Sequence, residues 1–241
     1  MRILVFHLGS SCDCLIATSV LRGLTKKEGK ASIYCVTRDT ECKKIFSYSK
    51  RVRNSYVLSK VPNGFFDKQF DRVILLSDGV DEDLYKGDEI IGVGQSEKAD
   101  AMLSILYGDT NSRKNIFQVY YNMAGLKWKG EGYDFRYRPR SRSKGQRTGM
   151  CLANANLREY IIDKLHLNNS RLWYVPFKRN LFRRIDEINK CKRIITDDFC
   201  TLNIALCLRK EVHFLQAIPY NMNIELFGSG HLYKVPPNII R

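Results

Sequence analysis

The sequence predicts an α/β protein built from two Rossmann-like domains. Three observations carry this expectation. Residues 3–22 run from an apolar strand through a Gly-Ser-Ser turn into an apolar-faced helix. Strand and helix patterns then alternate to about residue 126. After a basic, Pro- and Ser-containing stretch the same alternation restarts at residue 148. Repeated strand-helix units of this kind make a mostly parallel sheet covered on both faces.

The opening segment sets the first unit. Ile3 to Phe6 reads as a strand, Gly9-Ser10-Ser11 as the turn, and residues 12–28 as a helix stopped near Gly29. A second strand is expected at 31–37, a short helix at 40–47 and a strand near Tyr56 to Leu58. FDRVILLSD (70–78) and DEIIGVG (88–94) are continuous apolar runs, as buried parallel strands require. Residues 95–114 are polar and give no clear pattern, whereas 115–126 has helical spacing and ends at Gly125. A further strand is expected before the linker.

From 136 to 147 the chain reads RYRPRSRSKGQR, six basic residues without an acid. Its composition marks a linker, either a solvated connector or an electrostatic collar for an anionic ligand. The expected division is 1–137, linker 138–147, and 148–241. In the second unit strands are expected at 148–154, 171–177, 193–197 and 211–216. Helices are expected at 156–165, 180–191 and 200–209. The tail, 217–241, reads as irregular, with Pro219, Gly228, Gly230 and Pro236-Pro237. The ligand of such a pair of domains is expected in a cleft between them.

The chain has 241 residues, 44% of them hydrophobic, which suffices for packed cores. Its 40 Lys and Arg against 25 Asp and Glu give a formal charge of +15, favouring anionic partners. No apolar run approaches the roughly 18 residues of a membrane span, and residues 1–20 show neither a basic start nor a cleavage site. A cytoplasmic protein is expected. Eight cysteines form no C-x-x-C pair and no zinc-finger spacing with histidine. Reduced structural thiols are expected, and no metal. Neither aromatic-basic interleaving nor a helix-turn-helix pattern is present, which argues against a nucleic-acid partner.

Asp13, in the first turn of the first helix, lies where open α/β sheets bind ligands. It is a candidate base, or a carboxylate that simply complements the helix dipole. His7 ends the first strand and either contacts a ligand or is a satisfied structural group. Asp198 opens the helix near residue 200 and either contacts a ligand or serves as N-cap. The N–H groups at Phe199 and Cys200 could face phosphate. Lys178 and Arg179 could add positive charge, and Phe227-Gly228-Ser229-Gly230 could approach a ligand closely.

Two segments resemble the heptosyltransferase family, glycosyltransferase family 9. One is His7-Leu8-Gly9-Ser10-Ser11-Cys12-Asp13 with Leu15-Ile16-Ala17-Thr18-Ser19; the other is Asp198-Phe199-Cys200-Thr201-Leu202-Asn203 after an apolar strand. The order of elements between them agrees. Departures are Cys12 where the family has Gly before its Asp, Phe199 and Cys200 where it has Ser and Gly, and Asn203 where it has His. A basic-Trp-Pro stretch after the first strand of the second domain is missing.

The resemblance implies a GT-B fold, with a reduced C-terminal donor domain because members are usually longer. It implies inverting, metal-independent transfer of a sugar, heptose from ADP-heptose, to an anionic lipid-linked glycan such as lipopolysaccharide core. No cofactor is implied beyond the ADP-linked donor as substrate. Asp13 would be the base. Asp198, Phe199, Cys200, Asn203 and Lys178 would hold the donor; His7, Ser10 and Ser11 would meet the acceptor. The basic surface would associate peripherally with the inner membrane. The alternative is a degenerate nucleotide-sugar or glycan-binding protein without catalysis.

Overall fold

The computed structural model describes residues 1–107, 115–140, 147–177, 180–216 and 230–235. The chain divides into two units, Met1–Tyr137 and Arg138–Arg241.

In the first unit the strands are β1 (Arg2–His7), β2 (Ser32–Thr37), β3 (Val52–Val57), β4 (Gln69–Leu75) and β5 (Lys86–Gly92). They pair parallel in the order β3-β2-β1-β4-β5. The central strands β1, β2 and β4 are the most apolar, because both of their faces are covered. Leu4 and Phe6 enter one core with Tyr34, Val36, Phe70, Val73 and Leu75. The alternate residues of β1, Ile3, Val5 and His7, are also buried, as the strand's period of two requires.

Helix α1 (Ser11–Glu28) packs against α2 (Thr40–Ser47) and α4 (Ile116–Met123). The contact with α4 depends on Gly23, where a Cβ atom would lie 2.6 Å from Tyr121 Cε1. Tyr121 Oη in turn donates to the Ser19 carbonyl at 2.7 Å. Helix α3 (Glu97–Tyr107) forms within the polar window that gave no sequence pattern, and part of that window, 108–114, lies outside the described residues.

The strand expected before the linker does not form. Residues 127–137 instead make a non-repetitive strap fastened by side chains. Glu131 accepts from Lys26 Nζ at 2.8 Å and from the Lys129 N–H at 2.7 Å. Asp134, 1% exposed, accepts from Arg51 Nη1 at 2.8 Å and from Ser49 Oγ. Its own N–H donates to Thr18 Oγ1 at 3.1 Å. A sheet ladder needs no such charges; here they replace it.

The second unit contains β6 (Thr148–Cys151), α5 (Leu157–Lys164), β7 (Leu172–Tyr174), α6 (Leu181–Asn189), β8 (Arg193–Thr196), α7 (Phe199–Cys207), β9 (Glu211–Gln216) and β10 (Gly230–Lys234). Its strands are again parallel, in the order β10-β9-β8-β6-β7. Met150, Ile195 and Leu215 pack with Leu157 and Ile161 of α5. β10 corrects the reading of the tail as irregular: His231-Leu232-Tyr233 pairs in register with His213-Phe214-Leu215. Its charge and its Gly flank hid it, because an edge strand needs little apolar sequence.

All eight cysteines are free thiols, and six are buried. Among the described residues no helix is long and apolar enough to cross a membrane. Residues 141–146 of the basic stretch, Pro219, Phe227 to Ser229 and Pro236-Pro237 lie outside the described residues.

Candidate functional site

Both sheets reverse their winding at one point, and the candidate residues follow the strands that flank it. In the first unit the reversal lies between β1 and β4; in the second it lies between β6 and β8. Such switch points are where open α/β sheets bind ligands, beyond the carboxyl ends of their strands.

In the first unit the chain leaves β1 through Leu8-Gly9-Ser10. The Leu8 N–H donates to Ser77 Oγ at 2.8 Å, which ties this loop to the residues after β4. Ser10 caps α1 in a reciprocal box with Asp13. Ser10 Oγ donates to Asp13 Oδ2 at 2.6 Å, the Ser10 N–H donates to the same oxygen at 3.2 Å, and the Asp13 N–H donates to Ser10 Oγ at 3.3 Å. Both bonds to the carboxylate use Oδ2 and leave Asp13 Oδ1 out. Asp13 and Ser11 are partly exposed and Ser10 is exposed.

His7 lies behind this loop. It is 1% exposed, so the imidazole offers no surface to a ligand in this conformation. Its Nδ1 is 3.2 Å from Cys14 Sγ and its Nε2 3.4 Å from Tyr120 Oη. Burial brings its pKa down from 6.5 to about 4, against the opposing pull of the Asp13 carboxylate. The ring is therefore neutral at neutral pH. Gly9 passes so close that a Cβ atom there would sit 2.8 Å from His7 Cε1. His7, Gly9 and the Ser10–Asp13 box thus form one packed stack, with only its outer layer facing solvent.

In the second unit Asp197 and Asp198 follow β8. Asp197 accepts from the N–H groups of Ala153 (2.6 Å) and Asn154 (2.9 Å), joining the loop after β6 to the loop after β8. Asp198 caps α7: its Oδ2 accepts from the Thr201 N–H at 2.7 Å and Thr201 Oγ1 at 2.6 Å. The same oxygen takes Arg184 Nη1 at 3.0 Å. Phe199 and Cys200 form the partly exposed first turn of α7. Asn203 is fully buried and donates from Nδ2 to the Phe199 carbonyl at 2.8 Å. Lys178 and Arg179 lie outside the described residues.

The structure therefore brings His7, Ser10, Ser11 and Asp13 together in one unit, and Asp198, Phe199, Cys200 and Asn203 together in the other. Sequence reading missed Arg184, the cation that meets Asp198. Its only sequence signal is an arginine on the polar side of a strongly amphipathic helix, which is too common to single out. Ser77 and Tyr120 were missed because their contacts to this site span 69 and 113 residues of sequence.

No family model matches the sequence, and no curated protein matches it. Solved structures do. E. coli heptosyltransferase WaaC with ADP-2-deoxy-2-fluoro heptose superposes with a TM-score of 0.63 at 13% identity, over 99% of this chain and 94% of that one. E. coli ADP-heptose lps heptosyltransferase II gives 0.63 at 14% identity, over 98% and 91%. A family 9 glycosyl transferase from Veillonella parvula DSM 2008 gives 0.63 at 11% identity, over 97% and 86%. At these identities the likeness is one of fold: two parallel-sheet α/β domains, similar to those of heptosyltransferases and of a family 9 glycosyltransferase.

Proposed function

We propose that this protein is a glycosyltransferase of the heptosyltransferase kind, drawing its sugar from a nucleotide-linked donor. The observation that carries the reading is Asp13: a partly exposed carboxylate at the carboxyl end of β1, beside the switch point of its sheet, oriented through one oxygen only. Its placement in a fold shared with heptosyltransferases supports the assignment.

In this reading Asp13 Oδ1 receives the proton of the acceptor hydroxyl as that oxygen attacks the anomeric carbon, while Oδ2 stays with Ser10. General-base assistance of this type contributes roughly 10²–10⁴-fold. The bond from the anomeric carbon to the diphosphate breaks with its electron pair, and configuration inverts. The departing diphosphate carries that electron pair away with the nucleotide. ADP-heptose is the first donor to test, because two of the similar structures carry ADP or an ADP-heptose analogue. The acceptor in this reading is an anionic lipid-linked glycan such as lipopolysaccharide core, reached at the inner membrane surface through the protein's net charge of +15. Transfer proceeds without a metal.

A specific observation favours a second reading, a nucleotide-sugar or glycan-binding protein without catalysis. Asp198 Oδ2 is occupied by three donors, and Asn203 is turned into the protein. A donor screen with purified protein, read by mass spectrometry of the product, separates the two. A glycosylated acceptor supports transfer. Calorimetric binding of ADP-, UDP- or GDP-sugars without product supports the binding protein, and no binding of any of them removes the transferase and leaves only glycan binding.

A further inference from the structure

We propose that Glu211, His213 and His231 form a binding site for one divalent transition cation, zinc foremost, which clasps the edge strand β10 to β9. The proposal is independent of the glycosyl-transfer reading. The three side chains are brought together by the sheet. Glu211 and His213 are two apart on β9 and so share a face, and His231 lies directly beside His213 in the parallel register. One ligand atom from each residue lies within 4.8 Å of the other two. A tetrahedral zinc with bonds near 2.0–2.1 Å holds its ligand atoms roughly 3.4 Å apart. Small rotations of the exposed His231 and the half-buried Glu211 close that difference.

The surroundings fit a ligand set. His213 is 6% exposed and its ring stacks on that of His231, centroids 4.8 Å apart. Its Nδ1 is 3.0 Å from Tyr233 Oη, and its Nε2 is 3.1 Å from Glu211 Oε1. With the Nδ1–H donated to Tyr233, the Nε2 lone pair faces the carboxylate, and a cation between them satisfies both. A partner on the second ring nitrogen is the usual arrangement for a metal-bound imidazole. Arg193 Nε donates to Glu211 Oε1 at 2.8 Å, which orients the carboxylate beside His213. Two imidazoles and a carboxylate match zinc and its neighbours better than calcium or magnesium.

The site's position assigns its role. Glu211 and its partner Arg193 are the first residues of β9 and β8, whereas Asp197 and Asp198 follow the last residue of β8. Glu211 therefore lies toward the opposite end of these strands, roughly 13 Å along them from Asp197 at about 3.3 Å per residue. There the cation fastens an edge strand and takes no part in chemistry beside Asp198.

The test uses the full chain stripped with a chelator and titrated with Co²⁺, then Zn²⁺, with metal counted by mass spectrometry. The expected result is one equivalent bound, an absorption spectrum without thiolate-to-cobalt charge transfer, and a Tm raised by several degrees at saturating Zn²⁺. His231→Ala and Glu211→Gln should each weaken binding at least tenfold and remove the Tm gain, with circular dichroism unchanged. Absence of one-to-one binding to the folded wild type overturns the proposal. So do thiolate bands in the cobalt spectrum, or affinity unaltered in both variants.

Discussion

Ser10 Oγ donates to Asp13 Oδ2 at 2.6 Å, and the Asp13 N–H returns a bond to Ser10 Oγ at 3.3 Å. The pair closes the first turn of α1 and, in the same act, fixes the direction of the Asp13 carboxylate. Capping and catalysis would thus use different oxygens of one side chain.

The cap can be weighed separately. Ser10→Ala removes both the acceptor for the Asp13 N–H and the donor to Oδ2. It should cost about 1 kcal/mol of stability, the usual worth of an N-cap. In the transferase reading turnover falls by about tenfold while donor Kd stays unchanged, because the carboxylate loses its orientation and not its charge. Chemical denaturation and steady-state kinetics on the same preparation check both.

His7 gives the folded state an acid sensitivity. Its pKa is 6.5 when exposed and about 4 in the fold, where burial disfavours the imidazolium. The unfolded chain therefore takes up a proton first. Stability is fully present above pH 6.5 and is lost as the pH falls toward 4, by up to about 3 kcal/mol from this one residue. His7→Asn should flatten the stability profile across that window relative to wild type. An unchanged slope in the variant contradicts the assignment.

Asp134 ties the strap before the basic stretch to the first unit. Its carboxylate is buried and bonded to Arg51, which is 31% exposed. Asp134→Ala should destabilise the protein by about 2–3 kcal/mol. That is below the usual loss for a broken buried pair, because Arg51 can regain water. Urea unfolding monitored by the fluorescence of Trp128, which lies in the same strap, reads this loss.

Asp198 distinguishes a cap from a ligand contact. Asp198→Asn keeps an acceptor for the Thr201 N–H and should cost less than about 1 kcal/mol of stability, since Asn caps nearly as well as Asp. If Asp198 also meets the donor, binding of the nucleotide sugar by calorimetry weakens about tenfold. Unchanged affinity assigns the residue to capping and to Arg184 alone.

How much of this was legible depended on where the information resided. β1, its turn and α1 could be read because hydrophobic period, Ser10 and Gly29 all act within a few residues of one another. β3 begins earlier than its apolar part, at Val52, because an edge strand tolerates Arg53 and Asn54 facing water. β10 was missed for the same reason, compounded by the glycine that starts it. The strap at 127–137 imitated a strand through its buried Glu131, Tyr133 and Asp134, yet its bonds run to side chains 83 to 116 residues away. The candidate site divides along the same line. Ser10, Asp13 and Asp198 act locally and could be named from sequence. Arg184, Ser77 and the Glu211-His213-His231 cluster exist only once strands pair.

The central claim is that the carboxylate at position 13 takes the acceptor's proton. The most direct measurement is single-turnover transfer from ADP-heptose by Asp13→Asn, beside its Tm and its donor Kd. The account predicts a rate lowered by about 10²–10⁴-fold, with Tm within a few degrees of wild type and Kd unchanged. A variant that transfers sugar at the wild-type rate contradicts it.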